Sequence, residues 1–432
     1  MHSERDQRRS SRRAGAGLLA ASFLAVAALS GCASDDGAAP TLTWYINPDD
    51  GGQAAIAAKC TEESGGRYRI STSLLPRDAS SQREQLARRL AAGDSSMDIM
   101  SLDPPFVPEL AEPGFLAPVP QDVIDETTEG VVDGALAGAT WNDEIVAVPF
   151  WANTQLLWYR KSVAEQAGLD MTQPVTWDQI MDAARETEKQ LGVQGVRSES
   201  MTVWVNALYE SQGQQMIENP GAPIDELQLG IDSPAGAEAA RVIGTIGRDG
   251  LGGPGLSTAD ESASMATFQS DNGSFMVNWP FVWPATLGAM PELEEDIGWA
   301  LYPRMTEDQE TAPPFGGIML GVGAESEHPD LSYDAITCIV SVDNQAEYFV
   351  TNGNPPAKEA AYDDPAVIEE FPMAAEIRES LNLSKPRPQT QYYNEVSTAI
   401  QQRWTPTEAV TDRTPVETQE FIGEVLRGER LL

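Results

Sequence analysis

Histidine and cysteine are scarce in this chain of 432 residues, which has two histidines and three cysteines. The histidines are His2 and His328, and His328 precedes a proline in a segment predicted to be an exposed loop. A Ser-His-Asp triad would need that one histidine in a buried site. The sequence also lacks HExxH, paired CxxC, GxxxxGKS and GxxxxGKT motifs. Zinc, iron–sulfur and P-loop chemistry therefore have no support, and no cofactor or metal is expected.

Positive charge is also in short supply. Lys and Arg together number 28 against 66 Asp and Glu, which gives a formal net charge of −38. A chain this acidic repels nucleic acid phosphates and anionic lipid head groups, so no nucleic-acid partner is expected. The sign of the charge does not oppose a neutral ligand.

The first 32 residues combine a cationic start, an apolar stretch and a cysteine. Several arginines precede the apolar run Ala14–Leu29, and Ser30, Gly31 and Cys32 follow it. This order is typical of a secretory signal, and small residues directly before a cysteine resemble the lipobox of bacterial lipoproteins. We predict a signal peptide over 1–31, a lipidated Cys32 and a tether over 32–40, so that the protein is anchored to the outer face of the cell membrane. An ordinary signal peptide or a transmembrane anchor is the alternative, although a spanning helix needs roughly 20 apolar residues.

Two further cysteines, Cys60 and Cys338, lie in helix-like segments far apart in the sequence. In an oxidising compartment two thiols favour a disulfide, which would link the start and the later part of one domain. Two buried free thiols are the alternative that the residues alone leave open.

Short apolar strands alternate with helices along most of the chain. Leu42–Tyr45, Tyr68–Leu75 and Met97–Leu102 are predicted as the first strands, with helices over Ala54–Glu63 and from about residue 80 to 93 between them. Further strands are predicted over 142–149, 153–160, 273–279 and 316–322, and helices dominate from there to the end. This alternation predicts an α/β fold, with mostly parallel strands covered by helices on both faces.

Four motif-bearing segments follow one another along the chain: Phe106–Val119, Val148–Arg160, Phe268–Met276 and Phe315–Gly317. Their order and spacing resemble extracytoplasmic solute-binding proteins of the maltose-binding type, which feed ABC importers. The resemblance implies the two-lobed periplasmic-binding-protein fold of type II, with crossing hinge strands between the lobes. It also implies a monomer that works with a membrane permease and its ATPase. It places 41–150 and 313–352 in the N-terminal lobe, and 153–310 and 355–432 in the C-terminal lobe.

Additional motifs cover nearly the whole chain after the signal: Ser73–Arg77, Gln85–Leu90, Asn153–Arg160, Val277–Val282 and the cysteine pair. These look like the trehalose-binding lipoproteins of mycobacteria and other actinobacteria. They imply that a disaccharide, with trehalose favoured, is captured by hinge closure. The loop Asn47–Asp50 and a short stretch over 282–312 depart from that pattern, so maltose or another di- or oligosaccharide is the alternative ligand.

Side chains suited to a sugar stand near predicted strand ends, where doubly wound sheets bind ligands. A sugar offers hydroxyls and apolar ring faces, which planar polar groups and aromatic rings can meet. Asp103 ends a strand, and Gly317 would let backbone amides approach a ligand closely. The resemblance adds Asn153 and the cleft-facing arginine of a late helix. The predicted ligand-binding residues are Asn47, Asp50, Gln82, Asp103, Trp151, Asn153, Glu261, Trp279, Phe281, Gly317 and Arg403. Turn formation, helix capping, core packing and solvation are the alternative roles for these residues.

An anchored glycoside hydrolase is the alternative of a different class, because paired carboxylates and aromatic residues also serve that chemistry. Asp98 and Asp103 are an available pair, but an odd spacing along a strand turns two side chains to opposite faces. We therefore predict a binding protein and no enzyme activity.

Overall fold

Two β-sheets form the framework of residues 39–432, the part of the chain that the computed structural model describes. The predicted signal peptide, Cys32 and most of the predicted tether lie outside the described residues. The strands are β1 (Thr41–Ile46), β2 (Arg69–Leu74), β3 (Ile99–Leu102), β4 (Thr140–Trp141), β5 (Glu144–Ile145), β6 (Val148–Thr154), β7 (Leu156–Arg160), β8 (Gln190–Gly192), β9 (Gly273–Asn278), β10 (Ile297–Ala300) and β11 (Phe315–Gly321).

The first sheet has the strand order β2-β1-β3-β11-β6, and the second has the order β10-β7-β9-β8. In the first sheet β1 runs parallel to β2 and β3, whereas β11 runs antiparallel to β3 and β6. In the second sheet β7 runs antiparallel to β10 and β9, and β8 runs parallel to β9. The α/β fold class is confirmed, although both sheets are mixed rather than mostly parallel.

Helices flank both sheets. They are α1 (Gly52–Glu63), α2 (Ala79–Ala91), α3 (Val107–Ala111), α4 (Gln121–Thr128), α5 (Asp133–Gly138), α6 (Lys161–Gln166), α7 (Trp177–Glu186), α8 (Glu199–Glu210), α9 (Pro234–Arg248), α10 (Glu261–Gln269), α11 (Val282–Ala289), α12 (Pro329–Ile339), α13 (Val342–Asn352), α14 (Pro365–Glu370), α15 (Ala374–Leu383), α16 (Tyr393–Arg403) and α17 (Thr414–Leu426). Over residues 39–432, each helix is too short or too polar to span a bilayer.

Each sheet has its own set of large buried side chains. Beside the first sheet, Trp44 and Phe150 pack with their ring centroids 5.7 Å apart, in a core shared with α1, α12 and α13. Beside the second sheet, Trp177 of α7 and Trp204 of α8 lie 5.8 Å apart between ring centroids. Burial of these aromatic rings removes a large apolar area from water and fixes the helices that carry the polar residues described below.

The chain crosses between the sheets at three places: through the single residue Gln155 between β6 and β7, over 301–314 between β10 and β11, and over 384–392 between α15 and α16. The third crossing lies later than the predicted start of the C-terminal lobe at residue 355. Helix α14 packs on α13, and α15 packs on β6 and α5. The physical reason is apolar contact, since Phe371 stacks on Phe349 of α13 with their ring centroids 3.9 Å apart. Residues 355–383 therefore belong with the first sheet, and the other lobe boundaries stay predictions.

Cys60 of α1 and Cys338 of α12 form a disulfide whose Cα atoms are 5.9 Å apart. The structure thus contains the bridge and not the pair of free thiols. Because both helices pack beside the first sheet, the bond joins an early and a late segment of the same half of the molecule.

Candidate ligand-binding site

A buried arginine, Arg387, forms hydrogen bonds with residues of both halves of the molecule, one half being built on each sheet. Asp103 directly follows β3 of the first sheet, and its carboxylate accepts hydrogen bonds from Arg387 Nη2 at 2.6 Å and Nη1 at 3.2 Å. Arg387 Nη1 also donates to Glu199 Oε1 at 2.7 Å, at the start of α8 beside the second sheet. The side chain of Arg387 is only 4 % exposed. Asp103 thus lies at the predicted strand end, but it is paired with an arginine that the sequence analysis did not identify.

Glu199 is held by one face of α16. Its carboxylate accepts hydrogen bonds from the Tyr393 hydroxyl, from Ser397 Oγ at 2.6 Å and from Gln401 Nε2 at 3.4 Å. These three residues are spaced by four, so they follow one another along a single helical face. Phe106 packs edge-on against Tyr393, with ring centroids 5.3 Å apart, which adds an apolar contact across the same junction.

The charges in this cluster depend on one another. Burial raises the pKa of Glu199, and Arg387 opposes that shift. Burial also works against the charge of Arg387, but the carboxylates of Asp103 and Glu199 outweigh it, and its pKa lies well above the ordinary value. The guanidinium is therefore positive at any physiological pH, and the cluster depends on its two carboxylate partners.

Asn47 and Gln82 form a polar pair next to Asp103. Asn47 Nδ2 donates to Gln82 Oε1 at 2.9 Å, and Gln82 Nε2 donates to the carbonyl oxygen of Pro76 at 2.8 Å. A cavity of about 10 Å³ lies beside them, lined by Gln82, Ser101, Asp103, Phe106 and neighbouring residues. This cavity has room for about one water molecule and not for a sugar ring. All of its lining residues come from 79–110, so the cavity lies within the half built on the first sheet and not between the two sheets.

Trp279 and Asn153 both lie beside Gly316 of the first sheet. Trp279 follows β9, and its backbone N–H donates to Asn278 Oδ1 at 2.9 Å. A methyl group placed on Gly316 of β11 would lie 3.1 Å from the Trp279 ring and 3.7 Å from Asn153 Cβ. The absence of a side chain at residue 316 thus lets an indole of one half lie against the backbone of the other.

Gly317 and Trp151 occupy neighbouring strands of the first sheet. Gly317 has φ of +131°, and a Cβ there would lie 2.3 Å from the Trp151 carbonyl oxygen, so only glycine fits. Trp151 is 6 % exposed and packs on Phe150 and Tyr348, with ring centroids 4.9 and 5.2 Å away. In this conformation its ring is a packing element. Phe281 is half-buried beside Gly353, whose backbone φ is +70°.

Three predicted residues lie apart from the Arg387 cluster or at its edge. Glu261 is at the edge, where it accepts a hydrogen bond from Ser200 Oγ at 2.6 Å. Asp50 is exposed, and the neighbouring Asp49 accepts a hydrogen bond from the backbone N–H of Gln53 at 2.8 Å. The prediction that Arg403 points into the cleft is corrected, because its guanidinium lies over the Phe421 ring, 4.4 Å from the ring centroid. Arg403 ends α16, and the side of the helix it occupies faces α17.

Arg387 and Glu199 carry the charge of the site, and neither was predicted from the sequence. Arg387 lies in Lys385-Pro386-Arg387-Pro388, where two prolines interrupt any helical or strand pattern. A cation fixed between prolines in a crossing segment is a signal that could have identified it. Glu199 gave no such signal, because acidic residues are common in the first turn of a helix, where they interact favourably with the helix dipole.

Glu210 at the end of α8 predicts a pH dependence of stability. Burial raises the pKa of Glu210 from 4.5 to about 7, and Lys385 opposes the shift. A raised carboxyl pKa means that the folded state binds more protons, so the free energy of unfolding should fall as pH rises from 4.5 to about 7. Glu210→Gln should remove this loss and be more stable than the parent near pH 8, by on the order of 1 to 3 kcal/mol. Urea unfolding at several pH values measures the difference, and parallel curves for parent and variant would contradict the prediction.

A sequence model of the bacterial extracellular solute-binding protein family matches residues 70–346. The match covers more than half of the chain, and this chain belongs to that family. Its members bind solutes for transport and are not enzymes, which decides against the glycoside hydrolase.

Individual relatives and solved structures are similar to this chain at low sequence identity. A probable ABC transporter-binding protein of Deinococcus radiodurans is 22 % identical over 344 residues, which cover 76 % of this chain and 78 % of the relative. Among solved structures, maltose-bound MalE3 of T. maritima is 24 % identical with a TM-score of 0.78, covering 91 % of this chain and 100 % of that one. The GacH receptor of Streptomyces glaucescens, solved unliganded and with acarbose, is 21 % identical with a TM-score of 0.75, covering 90 % and 98 %. These likenesses confirm the predicted two-lobed fold.

Proposed function

We propose that this protein is the lipid-anchored substrate-binding component of an ABC sugar importer, and that it captures a disaccharide, with trehalose favoured, between its two lobes. The observation that carries the proposal is Arg387, held between carboxylates that come from opposite halves of the molecule. The solved relatives of the same fold, which bind maltose and acarbose, support a saccharide as the ligand class. A permease and its ATPase would receive the sugar.

The chemistry of the cluster suits sugar hydroxyls. Carboxylates accept and a guanidinium donates charge-assisted hydrogen bonds, which are stronger than bonds between neutral groups. A bound sugar would enter between Asp103 and Arg387, so that its hydroxyls replace the contact that the two side chains now make. Trp279 would offer its ring to an apolar face of the sugar. Hinge opening must come first, since Asp103 is already hydrogen-bonded to Arg387, whose side chain is only 4 % exposed.

Calorimetric titration of the protein without its first 32 residues tests the proposal, with trehalose, maltose, sucrose and laminaribiose as ligands. We expect trehalose to bind with the highest affinity, and to raise the free energy of unfolding by about 2.7 kcal/mol at a concentration of a hundred times Kd. Asp103→Asn keeps the shape of the side chain and removes its charge, so it should weaken the binding. Maltose binding in place of trehalose would assign the alternative ligand. Failure of all four sugars to bind would refute the disaccharide proposal.

Cys32→Ala should abolish membrane anchoring and leave sugar affinity unchanged, because the predicted lipid is attached outside the compact unit of residues 39–432. Detergent phase partitioning of the protein from membranes measures the anchoring, and titration measures the affinity. A variant that stays in the detergent phase would contradict the lipid anchor. A variant that loses sugar affinity would contradict the separation of anchor and site.

A further inference from the structure

The backbone around Arg387 has few hydrogen bonds of its own. Arg387 stands between Pro386 and Pro388, and a proline has no backbone N–H to donate. Within residues 39–432, the backbone of 386–388 takes part in no backbone–backbone hydrogen bond. Two side chains bond to it instead: Asn206 Nδ2 donates to the carbonyl oxygen of Pro386 at 3.2 Å, and Gln389 Nε2 donates to that of Arg387 at 3.2 Å. Gln389 belongs to the same crossing segment, so Asn206 is the one of the two that ties this backbone to another element.

Asn206 and Glu199 bind this segment from one face of α8. Asn206 is fully buried and follows Glu199 by seven positions, which is about two helical turns, so the two side chains lie on the same side of the helix. Glu199 accepts a hydrogen bond from Arg387 Nη1 at 2.7 Å, and Asn206 donates to the carbonyl oxygen of the preceding residue, Pro386. The side chain of Arg387 and the backbone that carries it are therefore both attached to α8.

The crossing segment changes from one half of the molecule to the other between two adjacent residues. The carbonyl oxygen of Lys385 accepts a hydrogen bond at 2.9 Å from the backbone N–H of Phe315, the first residue of β11 in the first sheet. The carbonyl oxygen of Pro386 accepts its bond from α8, which packs beside the second sheet. The change of halves thus falls at the peptide bond between Lys385 and Pro386, directly before Arg387.

The oxygen of the Asn206 amide indicates that this residue does not serve stability. Asn206 Oδ1 is buried and has no hydrogen-bond partner among residues 39–432. A buried polar atom without a partner destabilises the folded state, and a leucine of nearly the same size would avoid that loss. The presence of an amide at this buried position is explained by its nitrogen, which holds the carbonyl oxygen of Pro386.

We propose that Asn206 is a positioning residue for sugar binding. It holds the backbone beside Arg387 on α8, so that Arg387 stays with the half built on the second sheet when the hinge opens and meets the sugar from that side. The contact between Arg387 and Glu199 then persists in the open and the closed forms, and the contact between Arg387 and Asp103 is the one that the sugar replaces. The inference rests on the proposed function and adds to it the residue that fixes the guanidinium donor in place.

The test compares two leucine variants, for the one of the four titrated sugars that the parent protein binds most tightly. Asn206→Leu removes the bond to Pro386 with little change in side-chain size. Gln212→Leu is the matched control, because Gln212 Nε2 also donates to a backbone carbonyl oxygen, that of Ala235 in α9 at 3.0 Å, and not to the crossing segment. We expect Asn206→Leu to raise Kd about 10-fold, as the loss of one hydrogen bond does, and to leave the midpoint of thermal unfolding without sugar unchanged or higher. Gln212→Leu should lower that midpoint and change Kd less than about 2-fold.

A double-mutant cycle with Arg387→Lys distinguishes positioning from a general structural effect. If Asn206 acts through the guanidinium, Asn206→Leu should change Kd less than about 2-fold in the Arg387→Lys background, in place of about 10-fold in the parent. Asn206→Ala removes the same bond and takes the place of Asn206→Leu if the latter does not fold. An unchanged Kd in the parent background, or equal effects in both backgrounds, would refute the inference while the proposed function stands. If the parent protein binds none of the four sugars, the proposed function fails and the inference fails with it.

Discussion

Arg387→Met is expected to lower the free energy of unfolding by about 3 to 5 kcal/mol and to abolish sugar binding. The substitution leaves Glu199 buried without the positive charge that now compensates it, and removal of one partner of a buried ion pair costs about that much. It also removes the bidentate donor that faces Asp103. Urea unfolding at neutral pH measures the first effect, and calorimetric titration measures the second.

Arg403→Met is the matched control for this experiment. Its guanidinium lies over the Phe421 ring and is half-buried, so we expect a loss of no more than about 1 kcal/mol and no change in sugar affinity. The loss of stability for Arg387→Lys should lie between those of the two methionine variants, because lysine keeps the charge and cannot form the bidentate contact with Asp103. Equal stabilities for Arg387→Met and Arg403→Met would show that the Asp103–Arg387–Glu199 cluster does not stabilise the fold.

Loss of the Cys60–Cys338 disulfide should have an effect of similar size. The two cysteines are 278 positions apart, so the bond restricts a very large loop of the unfolded chain. The double variant Cys60→Ala, Cys338→Ala should be less stable than the parent by roughly 3 to 5 kcal/mol, as measured by urea unfolding without reductant. Sugar affinity should be unchanged, because the bond joins α1 to α12, whereas Asp103, Arg387 and Glu199 belong to other segments of the chain.

Reduction of the parent protein provides the control for the disulfide. Parent protein whose two thiols have been shown by titration to be reduced should unfold at the same urea concentration as the double variant. A parent protein that unfolds identically before and after complete reduction would contradict the prediction.

The sequence predicted best those features that depend on local pattern. The β3 end at Asp103 was predictable because a buried apolar run stops at two prolines. The position of Trp279 after β9 followed from the same kind of boundary, and Gly317 indeed has a backbone conformation that favours glycine. Whether these residues contact a ligand stays a prediction, since position at a strand end does not by itself establish binding.

Features that depend on which elements meet in space were not predictable. Arg403 and Arg387 are both arginines near α16, and only the packing of α17 and α8 decides which one faces Asp103. The sequence of 355–383 predicts helices but does not indicate which lobe they join. Apolar contacts such as that between Phe371 and Phe349 place the segment beside the first sheet.

The short connection at Gln155 restricts how the two sheets can move. One residue spans at most about 3.6 Å, so the end of β6 and the start of β7 must remain close together in every conformation. Gln155 itself is buried, and Thr154 beside it shares a hydrogen bond of 2.7 Å with Ser380. Any rotation of one sheet against the other therefore has its axis near this residue. The two longer crossings, over 301–314 and 384–392, can change conformation to permit the rotation. The displacement of a residue grows with its distance from that axis, so a rotation of a few degrees moves most the residues that lie farthest from Gln155.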